Sequence, residues 1–358
     1  MSKREDPIVL RNFSDLRLED TFFDSLRSSY DGFDEWFRKK ANQGESAYVV
    51  VGDGNTISAM LYLKEELERD TNIKPALSGR RLKIGTFKVS ETHHTSVGKR
   101  LLAIALRRFA EGAFDYVYVT MFDAGNTQSL RQLLKNYGFE EGGTKGKEKV
   151  LVKHRPQPSL TSDPSFDFPF INAKAGKDYL LAIMPDYHDR LFGDTDLRQQ
   201  RHEPIQDHRV VNTIEKVYLS GSRNCRDLKP GDHIVSYRMR EPNLKIPAHY
   251  SSVISSIGTI TSVTDIKTFK TAEDFLSFIR GRSVFTEEEL RNFYLDKTYP
   301  WIITFLYNFR FRRYPNRKEL LEKDVIDVTD RIVCLPIAKE KFLETLKLGK
   351  VDESYIIH

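Results

Sequence analysis

Apolar positions in this chain alternate between a helical and a strand period, and the switches mark its elements. Ile8, Val9 and Leu10 form a short apolar run that predicts a strand. Phe22, Phe23, Leu26, Tyr30, Phe33, Trp36 and Phe37 then recur at helical spacing, with a turn expected over 28–32 between two helices. Residues 47–51 and 56–63 read as two strands joined through Asp53-Gly54, a hairpin signal. A polar insertion over 65–80 follows. Residues 82–89 predict a strand, and 97–109 a helix with Leu101, Leu102, Ala105 and Leu106 on one face. Residues 116–121 predict a strand and 128–137 a helix. Two short strands around Gly146, ending at Val150, Leu151 and Val152, close this half. The expected order is β-α-α-β-β-β-α-β-α, followed by the two closing strands.

The run Pro156-Gln157-Pro158-Ser159-Leu160-Thr161-Ser162-Asp163-Pro164 is rich in proline, serine and threonine, and reads as a linker. It divides the chain into a domain over 1–155, a linker over 156–176 and a second domain over 177–358. In the second domain 179–184 predict a strand and 185–192 a short helix, with Pro185 in its first turn. Strands are expected at 214–219, 233–238 and 252–263, with a turn at Lys229-Pro230-Gly231-Asp232. Helices are expected at 272–278 and 287–294, then a long aromatic strand over 301–311. Many short strands with few helices predict a small mixed β-barrel. The fold class is α/β of the α+β kind: a mixed sheet flanked by helices, then the barrel.

Composition narrows the function classes. Apolar residues make up 39% of the 358 and charged residues 30%, which suits a folded chain with a core. No run of about 18 apolar residues predicts a membrane span, and no apolar segment behind Met1 to Asp6 predicts a secretory signal. Cys225 and Cys334 are too few for a disulfide framework or a zinc site, and the histidines show no metal-ligand spacing. A cytoplasmic protein without a metal or membrane partner is expected. The net charge of +5 is too mild to argue for nucleic acid by itself.

The strongest chemical motif is His93-His94-Thr95-Ser96-Val97-Gly98-Lys99-Arg100-Leu101-Leu102, where a strand enters a helix. A helix start offers free N–H donors and the positive end of a dipole, which suit a pyrophosphate. Gly98 removes a side chain there, and Lys99 and Arg100 add charge. An ordinary strand–helix connection has the same small residues. The order of elements adds to the motif. The passage resembles the acyl-CoA signature of the GNAT acyltransferases, Arg/Gln-x-x-Gly-x-Gly/Ala, with His93 at the first position, Ser96 at the first glycine and Gly98 at the second. Leu133-Leu134-Lys135-Asn136-Tyr137-Gly138-Phe139 is similar to that family's helix ending in Gly-Phe. The resemblance covers the first half of the chain.

It implies acetyl-CoA, or another acyl-CoA, as cosubstrate, held at Val89, His93, Thr95, Ser96, Val97, Gly98, Lys99 and Arg100. It also implies direct acyl transfer to an amine. Backbone N–H at the end of the 82–89 strand would polarise the thioester carbonyl. His93 stands in place of Arg or Gln, and Ser96 in place of Gly. Leu134 stands where the family often has an acid tyrosine, which leaves Tyr137 as a substitute or as core packing. Glu66 and Glu91, with Glu65, are the candidate bases, each equally readable as a surface charge.

The stretch from Leu180 to Gly193 resembles the start of a PUA-like domain of the ASCH group, followed by the basic residues Arg198 and Arg201. That resemblance implies RNA binding. The arm Arg310, Arg312, Arg313, Arg317 and Lys318, set among aromatics, would supply phosphate and stacking contacts. In an alternating strand Phe309 and Phe311 would instead face the core and the arginines water. The leading expectation is an N-acetyltransferase acting on an amine of RNA or a ribonucleoprotein. This includes toxin-like modification of tRNA or the translation machinery, with a protein antitoxin or a second copy as partner. The alternatives are a non-catalytic acyl-CoA-sensing regulator that binds nucleic acid, and a protein-lysine acetyltransferase with a docking domain.

Overall fold

The computed structural model describes residues 8–52, 56–90, 96–156, 163–192 and 214–357. The chain forms two compact units, Met1–Arg155 and Pro156–His358.

The first unit contains β1 (Ile8–Asn12), α1 (Asp24–Ser29), α2 (Phe33–Asn42), β2 (Ser46–Val51), β3 (Ile57–Glu66), β4 (Ile73–Lys74), β5 (Arg81–Val89), α3 (Ser96–Glu111), β6 (Tyr116–Phe122), α4 (Gln128–Asn136), β7 (Glu140–Lys145) and β8 (Glu148–His154). Its strands form one sheet in the order β1-β2-β3-β5-β6-β8-β7-β4. β5 and β6 pair in parallel, and the other described ladders of this sheet are antiparallel. The expected element order is present, with one addition: the polar insertion holds β4, which pairs with β7 and extends the sheet edge.

Aromatic residues hold α1 and α2 against one face of this sheet. Phe13 is fully buried and makes edge contacts with Trp36, Phe37 and Tyr62. Met60 and Tyr62 point into this cluster. By strand alternation their buried neighbours Ala59 and Leu61 point to the other face. α3 packs on β3, β5 and β6. Its stripe of Val97, Leu101, Leu102, Ala105, Leu106 and Phe109 is buried.

The second unit contains α5 (Pro164–Asp167), β9 (Ile171–Asn172), β10 (Asp178–Ile183), α6 (Pro185–Leu191), β11 (Glu215–Ser220), β12 (His233–Arg238), α7 (Ala248–Ser251), β13 (Val253–Asp265), α8 (Ala272–Ile279), α9 (Glu287–Asp296), β14 (Trp301–Arg310), α10 (Arg317–Glu322), β15 (Cys334–Ile337), α11 (Lys339–Leu348) and β16 (Ile356–Ile357). Six strands form a mixed sheet in the order β11-β14-β13-β12-β10-β15, and β9 pairs with β16. Among the described residues no ladder joins β11 to β15. The later part of the expected linker belongs to this unit. Phe168, Phe170 and Ile171 are buried, and the Asn308 side-chain amide donates to the carbonyls of Pro169 and Phe170. Apolar residues at alternate positions carried that stretch into the core. Both units are thus mixed sheets flanked by helices.

Candidate functional site

The parallel pair at the centre of the first unit parts along its length. β5 and β6 are in register only from Arg81–Tyr116 to Ile84–Val119. Beyond that point β5 stays paired with β3 as far as Val89–Ala59, and β6 stays paired with β8 as far as Phe122–Glu148. The two carboxyl ends therefore diverge as a wedge, each strand held by its outer neighbour. The cause is local. Tyr62 pairs with Thr86 and Leu63 with Ile84, so Gly85 is passed over as a bulge. An extra residue bends the bulged strand and increases its twist. Among the described residues, 86–89 and 120–122 then have no ladder partner on their inner sides, and such backbone groups need one from a ligand or water.

The elements around the open end come from the strand ends themselves. α3 begins at Ser96, just after β5, and α4 begins at Gln128, soon after β6. Free N–H groups of the first turn of α3 lie at this end of the sheet. Ligands of open α/β sheets collect at the carboxyl ends of the strands for this reason.

The expected coenzyme residues divide. Glu91, His93 and Thr95 lie outside the described residues. Val89 ends β5 on the wedge, and Ser96, Val97, Gly98 and Lys99 form the first turn of α3. Two of the assigned roles need correction. A Cβ on Gly98 would sit 3.5 Å from Leu133 Cδ2, so this glycine faces α4. Arg100 is fully buried on the core side of α3, one position before Leu101, and presents no charge to solvent.

The catalytic expectations fare differently. Glu66 ends β3, but β3 runs antiparallel to β5, so Glu66 stands beside Arg81 at the opposite end from Val89. Eight strand steps put it about 26 Å from the wedge mouth. Its carboxylate accepts from Tyr118 Oη at 2.6 Å and pairs with Lys64 at 3.1 Å and Arg81 at 3.3 Å. Burial works to raise its pKa, but the Tyr118 hydroxyl and the nearby lysines outweigh it and hold the group below its ordinary value. Tyr137 is 2% exposed and follows the last turn of α4. The Tyr137 carbonyl accepts from the buried Lys153 at 2.8 Å. Glu66 thus stands at the end of the sheet away from the wedge, and Tyr137 is buried at the end of α4.

Another carboxylate sits where the strands part. Glu148 starts β8, in register with Phe122 at the end of β6. Its Oε1 accepts from Tyr30 Oη at 3.0 Å and from Thr120 Oγ1 at 3.2 Å. Tyr30 comes from the turn between α1 and α2, and its ring lies 5.1 Å from that of Phe122. Burial, then the neighbouring Glu148, push the Tyr30 phenol well above its ordinary pKa, so it stays a donor. Thr120 is the first β6 residue beyond the last pair with β5. Tyr30 and Glu148 are 118 positions apart, and no local pattern links them.

In the second unit, Arg198 and Arg201 lie outside the described residues. The arm around 310–318 forms a packed corner. Phe309 and Phe311 are buried, 4% and 1% exposed, and Arg310 is exposed. Arg312 pairs with Asp352, Arg313 with Glu319, and Lys318 with Glu322 at 3.5 Å. Arg317 opens α10, its backbone N–H bonded to the Ser252 carbonyl at 2.9 Å. The backbone N–H groups of Arg312 and Arg313 both donate to the Gly349 carbonyl, at 3.0 and 3.1 Å, at the end of α11. Much of the arm's charge is thus matched within the unit. Among the described residues no helix is long and apolar enough to cross a membrane.

No protein-family model matches the sequence, and no curated protein matches it. Solved structures similar to parts of the chain include three from different organisms. A GNAT-family acetyltransferase from Listeria monocytogenes is 14% identical, over 41% of this chain and 94% of that one, with a TM-score of 0.31. Arabidopsis thaliana NAA60 in complex with a bisubstrate analogue is 16% identical, over 41% and 98%, with a TM-score of 0.31. ASCH from Zymomonas mobilis is 12% identical, over 48% and 95%, with a TM-score of 0.31.

Proposed function

We propose that the first unit is an acyl-CoA-dependent N-acyltransferase. The observation that carries this reading is the wedge between β5 and β6, with the start of α3 at its open end. The resemblance of residues 93–102 and 133–139 to the GNAT pattern supports the same reading. The coenzyme arm is an extended chain with two amides, and an extended amide chain can add to unpaired strand backbone. Residues 86–89 and 120–122 would hold that arm. The first turn of α3, at Ser96 to Lys99, would hold the pyrophosphate through backbone donors.

The thioester supplies an activated acyl group, and the protein's part is to orient it. A backbone N–H of β5 beyond Gly85 would polarise its carbonyl. Leu134 is 1% exposed and has no proton to give. A thiol ionises near pH 8.5, so the thiolate leaves without a dedicated acid.

The finer reading places the acceptor amine on RNA or a ribonucleoprotein delivered by the second unit. It rests on that unit's resemblance to PUA-like domains, because much of the arm's charge at 312–318 is engaged internally.

Calorimetric titration of acetyl-CoA into wild type and Ser96→Asp tests the coenzyme assignment. A carboxylate at a helix start suits the dipole, so the variant should fold at least as stably. It should repel the pyrophosphate and lose measurable binding. Equal affinity in the two proteins would remove α3 from the site.

A further inference from the structure

We propose that Glu148 is the general base of the acyl transfer, held in place by Tyr30 and Thr120; this rests on the acyltransferase reading of the same wedge. Position comes first. Glu148 is in register with Phe122, three residues beyond Val119, the last β6 residue paired with β5. Strand alternation puts Thr120 and Phe122 on the same face as Tyr118, and the α1–α2 turn brings Tyr30 onto that face. A carboxylate here stands beside the place where the acyl group would rest.

Chemical state sets Glu148 apart from its neighbours. Both hydroxyls donate to one oxygen, Oε1. Among the described residues Oε2 has no partner, and no lysine, arginine or histidine pairs with this group. Three other carboxylates of the sheet are neutralised by cations: Glu65 by Arg80 and Arg108, Glu66 by Lys64 and Arg81, and Glu141 by Arg131 and Lys135. Lys147 and Lys149 flank Glu148 in the sequence, and among the described residues neither forms an ion pair with it. Lys145, opposite it on β7, pairs with Asp70 at 3.2 Å, and Arg27 before Tyr30 pairs with Asp24 and Asp34. Glu148 is therefore oriented through one oxygen and has the other free to accept a proton.

The step balances as follows. Glu148 takes one proton from the acceptor ammonium, leaving a neutral amine. The amine nitrogen attacks the thioester carbonyl carbon, forming C–N as C–S breaks, and the bonding pair leaves on sulfur. The second nitrogen proton goes to the thiolate, and Glu148 returns its proton to water.

The test uses the full-length protein, acetyl-CoA and two amine probes, with release of free thiol as the readout. Butylamine is protonated near neutral pH and needs a base, whereas hydroxylamine is already neutral there. Glu148→Gln can still accept from Tyr30 and Thr120, so the tie to the α1–α2 turn survives. It should lower butylamine turnover by roughly 10²- to 10⁴-fold and flatten the acidic limb of its pH profile. Hydroxylamine turnover should change less than about tenfold, with acetyl-CoA affinity unchanged. Tyr30→Phe removes a donor to the charged carboxylate and should move that limb to higher pH. Butylamine turnover kept in Glu148→Gln, or lost equally with both probes, overturns the assignment. So does acceleration of neither probe by a wild type that binds acetyl-CoA. If Glu148→Gln does not fold, an unmoved limb in Tyr30→Phe overturns it. Failure of wild type to bind acetyl-CoA would instead strike the acyltransferase reading.

Discussion

Gly85 lies directly under the ring of Tyr62: a Cβ on residue 85 would stand 2.7 Å from Tyr62 Cδ1. The bulge that parts β5 from β6 thus needs a residue without a side chain. Gly85→Ala should destabilise the protein by about 1–3 kcal/mol through overpacking, read by urea unfolding, and weaken acetyl-CoA binding. In a Tyr62→Leu background the same substitution should cost less, because the colliding ring is gone. Equal costs in both backgrounds would mean that the bulge does not depend on this contact.

A second prediction concerns acid stability. Asp189 in α6 is buried, accepts two bonds from Arg238 at 2.7 and 2.9 Å, and lies 3.1 Å from His188 Nδ1, whose other nitrogen is 2.7 Å from Ser255 Oγ. Burial works to raise its pKa, but the Arg238 bonds outweigh it and hold the carboxyl well below the usual range. A group depressed in the folded state contributes stability above its unfolded value of about 4 and loses it as pH falls. Wild type should therefore lose stability below about pH 4. Asp189→Asn should lose about 1–3 kcal/mol near neutrality through the weakened bonds to Arg238, which keeps its pair with Glu241 at 2.7 Å, and show a flatter acid limb. Urea melts from neutral pH downward check both.

The arm of the second unit gives a third. Arg313 donates to the Leu348 carbonyl at the end of α11 as well as pairing with Glu319. Exposed pairs of this kind contribute about 0–1 kcal/mol, so Arg312→Gln with Arg313→Gln should lower stability only slightly. If the two side chains serve the packed corner, single-stranded RNA affinity and its salt dependence should match wild type. A flattened salt slope would show that the pairs open to phosphates.

The elements were legible because their periods are long and clean. Phe22 to Phe37 and Val97 to Phe109 carry helical stripes that burial reproduces. The site was less legible because its parts meet through pairing. Glu66 ends a strand in the sequence, but only antiparallel register tells that this end lies away from the wedge. Arg100 adds charge on paper, yet it lies on the core side of α3 and is buried. Gly85 did carry a local signal, since a lone glycine in a strand often marks a bulge. Glu148 and Tyr30 carried none, because a contact across 118 residues exists only after the sheet forms.

The central claim is that acyl-CoA fills the wedge between β5 and β6, and hydrogen exchange tests it most directly. Peptides covering 86–89 and 120–122 should exchange quickly in the free protein, because their inner N–H groups have no ladder partner among the described residues. Saturating acetyl-CoA should slow both together with the first turn of α3, and leave residues 214–357 unchanged. Protection confined to other segments, with 86–89 and 120–122 exchanging as before, would contradict it.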